Sequence, residues 1–138
     1  MPNQIFVNLP VENLDLSIQF FKALGFEFNP QYTDENATCM IITDTIFVML
    51  LVKPFFQGFT DKPIADAKIC TEVLTALACA SRDEVDSLVE KACAQGGQEN
   101  YETKDYGFMY QRSFADLDGH IWELFFMEPN ANPQGDKQ

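Results

Sequence analysis

The spacing of apolar residues changes period along the chain in an order that occurs twice. Ile5-Phe6-Val7-Asn8-Leu9 has the apolar density of a strand and runs into Pro10. Asn13 is an N-cap residue with Asp15 in the turn that follows, and Leu14, Ile18, Phe21 and Leu24 recur at helical spacing as far as Gly25, a C-cap residue. The spacing predicts a helix from Asn13 through Leu24. Strands are predicted over Phe26–Phe28, Thr38–Thr43 and Ile46–Val52, with Thr43-Asp44-Thr45 as a turn. The first part of the chain therefore reads as βαβββ.

From Lys53 to Lys68 no regular period is present, and Pro, Gly and Phe dominate, as in a connector. The same order then returns. Thr75–Ala80 reads as a strand, and Ser81-Arg82-Asp83-Glu84 is a capping box opening a helix with Val85, Leu88, Val89 and Ala92 inward and Gly96-Gly97 at its end. Phe108–Phe114 and His120–Phe126 read as strands joined by Ala115-Asp116-Leu117-Asp118-Gly119, with a short strand near Gln98–Tyr101. A shift of 71 residues carries Leu14 onto Val85, Ile18 onto Val89 and Gly25 onto Gly96. The reading is one domain over residues 1–127 built from two tandem βαβββ modules, about 3–52 and 73–127, joined by a connector over about 53–72. Residues 128–138 read as a flexible tail.

A chain of 138 residues, 46% hydrophobic, is long enough for one domain with a substantial core. Its formal net charge of −12 repels phosphate backbones and anionic lipid, so neither nucleic acid nor membrane is expected as a partner. The longest apolar stretch, Thr45 to Val52, falls far short of the roughly 20 residues of a bilayer span. Met1-Pro2-Asn3-Gln4 lacks the basic start of a signal peptide, and a soluble, cytoplasmic protein is expected. Cys39, Cys70, Cys79 and Cys93 have no metal-ligand spacing and read as reduced, buried or inert thiols. One histidine, His120, would have to serve all four as a base.

The most specific local string is Phe114-Ala115-Asp116-Leu117-Asp118-Gly119-His120-Ile121-Trp122-Glu123-Leu124. Asp118-Gly119 marks a tight turn, and alternation after it sends Ile121, Glu123 and Phe125 to one face and Trp122, Leu124 and Phe126 to the other. Glu123 thus lies on a strand among apolar neighbours, where a carboxylate is either a site residue or hydrogen-bonded at a strand edge.

This string, the paired modules, and Val11-x-Asn13-Leu14-x-x-Ser17-Ile18-x-Phe20-Phe21-x-x-Leu24-Gly25-Phe26 together resemble the vicinal oxygen chelate superfamily, from about Ile5 to Met127. That superfamily includes glyoxalase I, extradiol dioxygenases, fosfomycin-modifying enzymes and bleomycin resistance proteins, and this chain is most similar to glyoxalase-related proteins. One departure is Leu117, where the family commonly has Pro. The resemblance implies an α+β fold in which the modules form a curled, cleft-enclosing mixed sheet with helices outside. It also implies four metal-ligand positions facing the cleft, which fall here on Phe6, Met49, Leu77 and Glu123. Of these only Glu123 can bind a hard metal. Independently, catalytic Zn, Fe or Ni sites typically use two or more imidazoles, and this chain has one His. An all-oxygen site needs clustered acids, whereas Asp116 and Asp118 read as turn residues. No metal and no other cofactor is expected.

In place of the metal, an apolar cleft is expected. Phe6 and Asn8 on the first strand and Phe47, Met49 and Leu51 on the fourth should face it, and one parity of Phe108–Phe114 adds Tyr110 and Arg112. Arg112 would then pair with Glu123 or clamp a ligand carboxylate, unless it is an exposed residue at a strand end. Phe55-Phe56-x-x-Phe59, with Tyr101 and Tyr106 opposite, would cover the cleft mouth or pack against a partner chain. The expected function is binding of a small, cationic or aromatic molecule by a homodimer, as the bleomycin resistance branch implies. Two alternatives stand beside it. One is a lyase, isomerase or dioxygenase-type enzyme using Glu123 as general base or sole retained metal ligand, with Arg112, Tyr110 or Asn8 stabilising charge. The other is a structural or interaction protein with a filled cleft.

Overall fold

In the computed structural model, which describes residues 1–129, the Asn13 side chain accepts the Leu16 amide at 3.0 Å and opens α1 (Leu14–Ala23). This satisfies one of the amides that the first helical turn leaves without a backbone partner. Around α1 lie β1 (Ile5–Val11), β2 (Glu27–Asn29), β3 (Ala37–Ile41) and β4 (Ile46–Val52). They form a sheet in the order β1-β4-β3-β2, with β1 and β4 parallel and the other pairs antiparallel. Leu9, Val11, Thr38, Met40, Val48 and Leu50 share one face by register and are buried, and α1 packs on that face through Leu14, Phe20, Phe21 and Leu24. Each large apolar side chain so buried contributes about 1.5–3 kcal/mol. The expected connector contains a short helix, α2 (Lys53–Gln57), which packs on β1 and β4.

The chain divides into two units, Met1–Ala65 and a second beginning at Asp66. In the second, β5 (Leu74–Ala78), α3 (Arg82–Ala94), β6 (Gln98–Glu99), β8 (Met109–Ala115) and β9 (Ile121–Met127) repeat the order of the first, with an added β7 (Lys104–Asp105). The sheet order is β5-β9-β8-β6, and β7 also pairs with β8. Ser81 caps α3 by accepting the Glu84 amide at 3.0 Å. The reciprocal arm of the box reaches back one residue further than expected, from the Glu84 carboxylate to the Ala80 amide at 2.7 Å. Val85, Val89 and Ala92 of α3 are buried, as are Phe114, Trp122 and Leu124 on the face it covers, where the Phe114 and Trp122 rings stack.

The β8–β9 turn is held from inside. Asp116 is buried, and its carboxylate accepts the amides of Asp118 and His120 at 2.9 and 3.0 Å and the Trp122 indole N–H at 2.9 Å. Gly119 has φ 91°, and a Cβ there would stand 2.9 Å from the backbone of Ala67 and Lys68, so both conformation and space require glycine. With the turn so fixed, Ala115 pairs with Ile121, and the face of every residue on β8 follows.

Both βαβββ units of the expected α+β fold are present, and the strands of each form a mixed sheet. The 71-residue shift holds at the helix ends, where Gly25 and Gly96 share positive φ of 105° and 102°. It fails at the helix starts, because α3 has 13 residues and α1 has 10, almost one turn fewer. Asn13 therefore corresponds to Ser81, a shift of 68, and the strand before α3 is displaced with it. The expected tail begins at Glu128; Glu128 and Pro129 are exposed, and residues 130–138 lie outside the described residues. Among the described residues no helix is long and apolar enough to cross a membrane. Cys39 is buried and Cys79 half-buried, whereas Cys70 and Cys93 are exposed, and all four are free thiols. Burial, followed by the charge of Glu84, pushes the Cys79 thiol up to about 11.

Candidate functional site

Glu123 lies on β9, with β5 on one side and β8 on the other, so it is central in its sheet. The register places Ala76 beside it on β5 and Ser113 opposite it on β8. All three point away from α3, together with Leu74, Gln111, Ile121 and Phe125. The Glu123 side chain is half-buried and makes no hydrogen bond or ion pair with the described residues. The hydrogen-bonded carboxylate at a strand edge, one of the two readings open from sequence, therefore does not apply.

Two cavities open on this face. One, of about 240 Å³, is bordered by Leu74, Glu102, Lys104, Gln111, Ser113 and Glu123. The other, of about 760 Å³, lies toward the β8–β9 turn between residues 67–71 of the connector and Gln98, Asn100, Ala115 and Ile121. Tyr101 borders both, so the two cavities are neighbours, and together they are termed the groove. The groove combines a few apolar groups such as Leu74 and Ile121 with neutral hydrogen-bonding groups, two carboxylates, Glu102 and Glu123, and the cation Lys104, a combination suited to a small polar organic molecule.

Three expected lining residues are turned elsewhere. Leu77 pairs with Leu124 and so lies on the α3 side; the strand displacement that follows from the longer α3 brings Leu74 to the position expected for it. Tyr110 and Arg112 pair with Phe126 and Leu124, again on the α3 side. The Tyr110 hydroxyl donates to Asp86 on α3 at 2.6 Å. Arg112 donates to Asp86 at 2.7 Å and grips both oxygens of Glu99 at 2.9 Å. Arg112 borders the small cavity, yet its guanidinium is engaged by these acids and does not pair with Glu123. The Glu99 and Asp86 carboxylates hold its proton more firmly than usual, while Tyr110 and Arg112 hold Asp86 below the ordinary range of a carboxylate, and Arg112 does the same for Glu99.

The residues sequence reasoning missed are Gln111, Ser113, Leu74, Lys104 and Tyr101's place between the two cavities. The first two were within reach. Once Asp116 to His120 is taken as the turn, Phe114 must share a face with Trp122, leaving Gln111 and Ser113 beside Glu123. Lys104 was hidden because two paired residues carry no periodicity.

In the first unit, Phe6, Asn8, Phe47 and Met49 do share the face turned away from α1. Phe6 and Phe47 stack with ring centroids 4.7 Å apart, and Phe6 remains 47% exposed. Phe55 and Phe59 meet edge to face at 5.3 Å, leaving Phe59 exposed. Tyr106 stacks on Phe108. Among the described residues, no three or more His, Cys, Asp or Glu side chains come together in a way that could hold a metal ion.

Known proteins with this arrangement can now be compared. The family described as bleomycin resistance protein-like N-terminal matches residues 4–43. A hypothetical protein, SA1046 from S. aureus, is 32% identical in its solved structure, over 91% of this chain and 95% of that one, with a TM-score of 0.77. A glyoxalase-related enzyme from Fulvimarina pelagi shares the fold at 19% identity, covering 99% of this chain and 96% of that one, with a TM-score of 0.77. A bleomycin resistance determinant encoded on the transposon Tn5 does so at 17% identity, 91% and 98% coverage and a TM-score of 0.63. Among curated proteins none matches this chain at a significant level. The repeated βαβββ units, the Asp116 turn leading into Glu123, and these similarities together place the chain in the glyoxalase/bleomycin resistance/dioxygenase family, the vicinal oxygen chelate superfamily.

Proposed function

We propose that the protein binds a small cationic or aromatic molecule in the groove of its second unit, with Glu123 as the anionic anchor and without the metal of the superfamily. The observation that carries this reading is the Glu123 carboxylate, central in its sheet, half-buried and without a partner among the described residues, at the border of a 240 Å³ cavity. A carboxylate removed in part from water gains most from a cation that replaces the lost solvation. The net charge of −12 adds long-range attraction for such ligands. Against the metal stands the donor chemistry. The positions that the resemblance assigns to ligands are Phe6, Met49, Leu77 and Glu123, with Leu74 on the Glu123 face where Leu77 was expected; the phenyl and isobutyl groups carry no donor, Met49 has a weak thioether, and Glu123 alone is a hard oxygen donor. These residues do not fit the group. The protein acts as a cytoplasmic homodimer in this reading, with the exposed Phe6 ring, stacked on the half-buried Phe47, available for burial.

The test combines metal analysis with thermal melts in the presence of phenethylamine, an alkylammonium cation at neutral pH that carries one phenyl ring. At a concentration of 100 Kd a ligand specific for the folded state adds about 2.7 kcal/mol of stability. Phenethylamine should raise the melting temperature of the wild type and not that of Glu123→Gln. Stoichiometric Ni, Zn or Fe that Glu123→Ala abolishes would overturn the metal-free reading. An equal response of wild type and Glu123→Gln would remove Glu123 from the role of anchor.

A further inference from the structure

We infer that the small cavity takes a zwitterion, with its ammonium group on Glu123 and its carboxylate on Lys104; this rests on the reading of Glu123 as a cation anchor. Lys104 pairs with Gln111 across β7 and β8, so it joins the face that carries Ser113 and Glu123. Two strand spacings and a two-residue step separate Lys104 from Glu123, about 12 Å between Cα atoms for regular strands. A molecule a few bonds long therefore spans the gap left between their charged ends.

The charges around this cavity are distributed unevenly. Arg82 is paired in both arms with Asp105, and Arg112 with Asp86 and Glu99. Lys104, Glu102 and Glu123 all border the cavity, and none of the three forms an ion pair with a described residue. A ligand carrying only a positive charge would satisfy Glu123 and leave Lys104 without an anionic partner. One carrying only a negative charge would meet Glu123, the neighbouring Glu102 and the net charge of the whole chain. A zwitterion satisfies both groups at once. Gln111 and Ser113 lie between the two charged ends with neutral donors and acceptors, and Leu74 and Tyr101 supply an apolar wall. A volume of about 240 Å³ holds on the order of a dozen non-hydrogen atoms at protein packing density. An amino acid with one aromatic side chain has this size and charge pattern.

Three probes of one skeleton test the inference by titration calorimetry at neutral pH: phenylalanine, phenethylamine, which lacks the carboxylate, and 3-phenylpropionate, which lacks the amine. Phenylalanine should bind at least tenfold more tightly than either. Lys104→Met should bring phenylalanine to the level of phenethylamine without weakening phenethylamine itself, and Glu123→Gln should weaken both amines. In the wild type, backbone amide signals of Lys104, Gln111 and Ser113 should shift on adding phenylalanine, a readout independent of any variant. If phenethylamine binds as tightly as phenylalanine and Lys104→Met changes neither, the zwitterion is overturned while Glu123 remains a cation anchor. If neither amine binds, or Glu123→Gln has no effect on them, both readings fall.

Discussion

Asp116 shows how one side chain positions the site without touching it. Its carboxylate is the acceptor for two turn amides and the Trp122 indole, and these bonds bring Glu123 out on the face opposite α3. Removing a buried acceptor strands its donors, at a cost of about 1–3 kcal/mol for each unsatisfied group. Asp116→Ala should therefore lower the unfolding free energy by about 3 kcal/mol or more in denaturant titration, and Asp116→Asn, which keeps one carbonyl oxygen, by less. Equal stability of Asp116→Ala and wild type would show that the turn holds by its backbone alone. Aspartate at this place and the glycine after it were legible from sequence as turn residues. The bond from the Trp122 indole to the Asp116 carboxylate was not, because it links residues whose proximity depends on strand pairing.

At the scale of elements, the outer face of the second sheet is tied to α3 by charge. Arg112 bridges Asp86 of α3 to Glu99 of β6, Tyr110 adds a hydroxyl to Asp86, and Arg82 grips Asp105 of β7 while its guanidinium lies 4.8 Å over the Tyr110 ring. These partners hold Asp86 and Glu99 below their ordinary ranges, and Arg82 with the Gly107 amide takes Asp105 down to about 2. A carboxylate lowered on folding contributes stability that is complete above its unfolded pKa and is lost as pH falls through its folded value. Denaturant melts should therefore show stability declining from about pH 4 toward about 2. Arg112→Met should lower stability at neutral pH and shrink this acid-dependent loss, and added salt should reduce the contribution of the more exposed Arg82–Asp105 pair. A loss with pH as large in Arg112→Met as in the wild type would refute this account. The same network explains why Arg112 and Tyr110 were misplaced from sequence: an arginine and a tyrosine on an alternating strand suit either face, and the acids that settle the matter are 13 to 26 residues away.

For the whole molecule, the proposed homodimer makes a prediction separable from ligand binding. Phe6 is 47% exposed and stacked on Phe47, an aromatic pair large enough to favour burial against a second copy. Sedimentation should give a dimer, and Phe6→Glu together with Phe47→Glu should give a folded monomer with an unchanged circular dichroism spectrum. A wild-type monomer at high concentration would overturn it. The net charge acts at this scale too: association with phenethylamine should slow as salt is added, since attraction by the whole chain is screened over about 10 Å at 0.1 M salt.

The longer strands, α1 and α3 with their caps, and the repeated order were legible from residues alone, because each depends on interactions within a few positions along the chain, whereas α2 and β7 were not. The family followed in the same way from motifs of neighbouring residues. Which side chains border the groove depended instead on register and offset. An extra turn in α3 moved Leu74 into the place expected for Leu77, and the hairpin pairing set Gln111 and Ser113, not Tyr110 and Arg112, beside Glu123. In a strand a shift of one residue reverses the face of every side chain, so a small error along the chain becomes a complete error in space. Only the assembled sheet, with the turn at Asp116 pinned to Trp122 and Lys104 brought in on a two-residue strand, decided what the groove presents to a ligand.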